Sequence, residues 1–82
     1  MTTESTLIHA KRGECYRITH IDPGHVMHER LAALGIRTGT RIEVINRSCL
    51  RGPVTIRAGK STVAVGHGMA SRIEIEPEEA HA

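Results

Sequence analysis

Eighty-two residues with a formal charge of +2 are enough for one domain and too few for several. With no Trp, no Phe and one Tyr the core must be aliphatic. The missing aromatics and the eleven scattered basic residues argue against a nucleic-acid binder, which needs clustered cations and, for single strands, stacking rings. Cys15 and Cys49 belong to no C-x-x-C pair and read as free thiols in a reducing cytoplasm. The N-terminus carries no basic-then-apolar leader, and no apolar run approaches membrane-spanning length.

Residues 1–10 read as a loose lead-in, with Leu7 and Ile8 placed to tuck against the body. Gly13 opens a first strand in which Tyr16 and Ile18 share one face and Ile21 closes the run past a bulge. Asp22-Pro23-Gly24 then begins a helix over 23–34, since Asp is a good N-cap and Pro is favoured at the first helical position. Met27, Leu31 and Leu34 form its apolar face at i, i+4, i+7. Gly35 supplies the left-handed residue that closes the helix, and Ile36 falls where a residue past the cap packs back on Leu31.

Thr38-Gly39-Thr40 turns the chain into a second strand, 41–46, whose Ile42 and Val44 alternate with charged residues. Residues 47–52 read as a loop. Pro53 starts a third strand with Val54 and Ile56 inward, Ala58-Gly59-Lys60-Ser61 is a hairpin turn, and a fourth strand, 62–65, points Val63 and Val65 inward. Residues 66–70 form a short turn before a fifth strand, 72–76, with Ile73 and Ile75 inward. Five strands and one early helix predict a mainly β fold, a small SH3-like, partly open β-barrel with one short α-helix. The whole chain, 1–82, reads as a single domain with its core at about 7–76, a flexible N-terminus and an acidic C-terminal tail.

No constellation of catalytic residues is present. Gly59-Lys60-Ser61 ends like a phosphate loop, but the earlier glycine is missing and the segment lies between two strands, where no helix N-terminus can meet a phosphate. His25, His28 and Glu29 stand at i, i+3 and i+4 on the helix, away from its apolar face. Imidazole and carboxylate donors suit Zn²⁺ or Fe²⁺, so this is the candidate metal site, and its use would make the chain a transition-metal chaperone or sensor, against the plainer reading of a solvated polar face. Such a site would bind a divalent transition metal weakly, and an ion shared between molecules would make a metal-bridged dimer of a protein otherwise monomeric; no cofactor is required. Arg47, Arg51 and Arg57 read either as a basic patch or as edge charges that block unwanted strand pairing. Leu50, a large apolar residue in a polar loop beside Arg51, is the candidate partner contact.

The ordered set Gly13, Tyr16 to Ile21, Arg30-Leu31-x-x-Leu34-Gly35-Ile36-x-x-Gly39-x-x-Ile42-x-Val44, then Gly52-Pro53-Val54, Val63-Ala64-Val65, Ala70 and Ile73-x-Ile75, resembles the ferrous iron transport protein A family (FeoA) over about residues 7–76. Thr38 stands where the family often has Pro, and Gly66 where it often has a basic residue. The resemblance implies an SH3-like barrel in the cytoplasm. It also implies a helper role, without catalysis, beside FeoB, the membrane ferrous iron permease with a cytoplasmic GTP-binding domain. Leu31, Leu34, Gly35 and Gly39 would be its structural residues. The fold is also similar to the C-terminal domain of iron-dependent repressors, whose DNA-binding helices have no room in this chain.

Overall fold

Runs in which Ile and Val alternate with polar residues make most of the sheet, because period-two alternation gives one buried and one solvated face. The structure, a computed structural model, describes residues 5–22, 26–48 and 52–78, with the backbone alone at 26 and 27. In chain order the elements are β1 (Ser5–Thr6), a 3₁₀ turn (Leu7–His9), β2 (Cys15–Ile21), α1 (Val26–Ala33), β3 (Arg41–Arg47), β4 (Val54–Ala58), β5 (Ser61–Val65), α2 (His67–Ala70) and β6 (Ile73–Pro77). The strands form one antiparallel sheet in the order β1-β6-β2-β3-β4-β5, curved but not closed, since β1 and β5 are its two ends.

The expected SH3-like, partly open architecture is therefore present, with one strand and one helix more than expected. The sixth strand is β1, within the segment read as a lead-in, and the turn expected at 66–70 contains α2. Of the helix expected over 23–34, the described part runs Val26–Ala33; residues 23–25 lie outside the described residues.

Register shifts bend the sheet around its core. One falls between Ile18 and His20 in the β2·β6 ladder, another between Val44 and Asn46 in β3·β4. A bulge adds a residue to one strand and sharpens its twist. That is why Ile18 and Ile21, three residues apart, are both buried, where strict alternation would put them on opposite faces.

The core is aliphatic and contains no buried polar or charged residue among those described. Leu7, brought in by the 3₁₀ turn, is fully buried among Ile18, Ile36, Ile56 and Ile75. Tyr16 keeps its hydroxyl satisfied by accepting from the Lys11 N–H at 2.9 Å. Gly52 sits against Ser48: a Cβ there would collide with the Ser48 Cβ, and the Ser48 N–H donates to the Pro53 carbonyl at 3.0 Å. Glycine is thus required where this loop returns on itself.

Helix α1 ends as expected. The Ile36 N–H donates to the Leu31 carbonyl (2.8 Å) and the Gly35 N–H to the Ala32 carbonyl (2.9 Å), with Gly35 at φ 82°. These are the paired bonds of a Schellman cap. The cap reverses the chain and sets Ile36, fully buried, beside Leu31.

Leu34 departs from its expected place. Expected on the apolar face, it is 46% exposed. It stands after the last helical residue, and Ile36 takes the core space that continued helical phase would have given it.

Gly39 holds the next turn to the sheet, donating its N–H to Ile18 at 2.7 Å and accepting from the Arg17 guanidinium at 2.8 Å. Arg17 also makes a two-pronged pair with Glu78, both bonds 3.0 Å, so one side chain ties β2, the turn before β3 and the end of β6.

Candidate functional site

An open sheet leaves a gap, and here it lies between β5 and α1. A groove of about 720 Å³ is lined on the helix side by Arg30, Leu31, Ala33 and Leu34, and on the strand side by Val63–Val65, Gly66 and Met69. Leu34 is the one exposed large hydrophobic residue among those described. Val63 and Met69 are half-buried against the core, and the core-facing side of β5 thus continues into the groove floor. Arg30 is its only charged lining residue, and no hydrogen bond or ion pair engages it among the described residues. Among the described residues the lining holds no nucleophile, acid or base, and its apolar surface suits an apolar group.

A second depression of about 340 Å³ is bordered by Cys15, Arg41, Ile42, Glu43, Arg57 and Gly59. Its charged groups are already engaged: Arg57 pairs with Glu43, and Arg41 donates to the Cys15 sulfur at 3.6 Å.

The residues singled out from sequence are scattered. His25, Leu50 and Arg51 lie outside the described residues. His28 is half-buried and Glu29 exposed; adjacent on the helix, they project in different directions. Among the described residues no group of three or more His, Cys, Asp or Glu is placed to hold a metal ion. Arg47 donates to the Ala10 carbonyl and Arg57 to Glu43, so two of the three arginines weighed as a patch or as edge charges serve as ties within the fold. Gly59 and Lys60 form the two-residue loop of the β4–β5 hairpin, as expected. Leu31 is buried, and Gly35 and Gly39 hold their turns.

Arg30, Val63 and Met69 were not legible as site residues. Each looks ordinary in its own element, and only the gap brings them together. One signal was available: β5 reads Ser-Thr-Val-Ala-Val, a strand without a charge or a proline to guard it.

A curved, open six-stranded sheet with an apolar groove at its gap defines an SH3-like fold. The comparisons with known proteins agree with that class and narrow it. A model of the FeoA domain matches residues 5–77. A Methanocaldococcus jannaschii protein named for Fe(2+) transport, transport protein A, is 37% identical over 73 residues, covering 89% of this chain and 87% of its own. The chain belongs to the FeoA family.

Among solved structures, one described as an iron uptake regulatory protein (FeoA) superposes with a TM-score of 0.78 at 27% identity, covering 90% of this chain and 97% of that one. A manganese-dependent transcriptional repressor reaches 0.80 at 20% identity; 95% of this chain matches 44% of the repressor, a likeness of fold alone. No helix among the described residues is long and apolar enough to cross a membrane.

Proposed function

We propose that this protein is a cytoplasmic accessory protein of ferrous iron uptake. It docks on the cytoplasmic part of the membrane permease that carries a GTP-binding domain, FeoB, and modulates transport without catalysing a reaction. Membership of the FeoA family carries the iron-transport part of this reading. What supports docking is Leu34, held in the open at the rim of an apolar groove. Leu50 and Arg51 are proposed as a second contact.

The test is retention of the permease from a detergent-solubilised membrane extract by the immobilised protein. Retention by the parent and its loss with Leu34→Asp is the expected result. Failure of the parent to retain the permease would sink the reading. Equal retention by both would move the contact away from the groove, and Leu50→Asp would then locate it.

A further inference from the structure

β5 is an edge strand with an unguarded edge. Its hairpin to β4 has a two-residue loop, so the closing pair Ala58·Ser61 exchanges backbone hydrogen bonds, and alternation gives the same to Ile56·Val63 and Val54·Val65. The backbone N–H and C=O of Thr62 and Ala64 therefore point away from β4. Among the described residues they have no partner outside the strand ladders, and both residues are exposed.

Folded proteins blunt such edges with charges, prolines, bulges or very short strands. The opposite edge, β1, is two residues long. β5 has five residues, none of them charged or proline, and its ladder with β4 runs without a register shift. Beside this edge lies the apolar groove, with Leu34 at its rim and Arg30 unengaged.

We propose that the β5 edge binds an extended peptide segment of a partner protein as an added strand. Apolar side chains at alternate positions would enter the groove over Val63, Leu34 and Met69, and a carboxylate would meet Arg30. Backbone pairing supplies affinity in this mode, and the pockets for alternate side chains supply selectivity. This rests on the reading that the protein works by docking, and it names the chemistry of what docks. A second copy fits less well: β5 carries no carboxylate, so pairing β5 with β5 brings no acidic group from that strand to Arg30.

The probe is a phage-displayed library of random peptides of about twelve residues, selected on the folded full-length protein. Enriched peptides are expected to alternate apolar residues and to share an Asp or Glu. A synthetic copy of one should shift the amide resonances of Thr62 and Ala64. Ala64→Pro removes one outward N–H but no bond to β4, and it should weaken the peptide about tenfold or more, as should Leu34→Asp. Arg30→Glu should reverse the preference, so that a peptide with Lys in place of its acid binds better.

Thermal melts establish that each variant is folded, and Thr62→Pro replaces Ala64→Pro should the latter unfold. Three results would each overturn the proposal: no enrichment, peptides that bind the proline and Leu34 variants as well as the parent, or a concentration-dependent dimer lost in Ala64→Pro. The last would place a second copy on the edge. Because the permease takes no part, peptide binding that survives alongside failed permease retention sinks the permease reading and leaves the edge-strand mode standing.

Discussion

Gly35 has φ 82°, and a Cβ placed there would meet nothing within 4 Å. The penalty for a side chain is therefore backbone strain rather than collision, and Gly35→Val is expected to cost about 1–3 kcal/mol, read by thermal unfolding. Leu31 and Leu34 make a sharper pair. They are three residues apart and look equivalent in the sequence, yet one is buried and the other half in water. Leu31→Ala should cost about 2–5 kcal/mol, since it empties core space, while Leu34→Ala in the isolated protein should change stability by less than about 0.5 kcal/mol. Equal melting shifts for the two would mean that Leu34 belongs to the core after all. Their difference was not legible because helical phase was extended one residue past the helix. The Schellman cap itself was legible from Gly35 and Ile36, but what it does to the residue before it depends on Ile36 winning the core position.

At the scale of elements, β2 through β6 could be read from alternation, and even the bulge in β2 followed from Ile18 and Ile21 both being apolar at an odd spacing. β1 could not: Ser5 and Thr6 carry no alternation, and their strand exists only because β6, some seventy residues on, offers its edge. Nor could the ties between elements be read, since they join positions far apart in the chain. Arg17 is the clearest. Its bidentate pair with Glu78 is partly exposed, with 43% and 23% of the two side chains accessible, and on its own is worth less than about 1 kcal/mol. Adding the bond to the Gly39 carbonyl, Arg17→Ala should lower stability by about 1–2 kcal/mol. Arg17→Lys should restore little of it, because an ammonium cannot reproduce the fork. Denaturant unfolding of the two variants beside the parent checks this, and full recovery with Lys would show that charge alone matters.

For the molecule as a whole, an open sheet is what separates this protein from a closed barrel. Closure would satisfy β5 and cover the groove; leaving the gap keeps apolar surface and backbone donors exposed, which is costly unless something uses them. Lys60 sits in a hairpin loop between strands rather than before a helix, so the purified protein is expected to hydrolyse neither GTP nor ATP. Turnover that follows the protein through purification and vanishes with Lys60→Ala would refute that.

Leu34→Asp places a carboxylate where the side chain is already half in water, so the melting temperature should stay near that of the parent. In a complex the same carboxylate would be desolvated inside an apolar groove, where Arg30 is the one charged lining residue among those described, at a cost of several kcal/mol. Cells carrying Leu34→Asp should therefore fold the protein normally and lose uptake of labelled ferrous iron, while Leu34→Met, which keeps the apolar volume, should retain it. Normal uptake with Leu34→Asp would mean that the exposed leucine is not where the partner sits. A collapsed melting temperature would mean that its burial in the folded state is deeper than its 46% exposure implies.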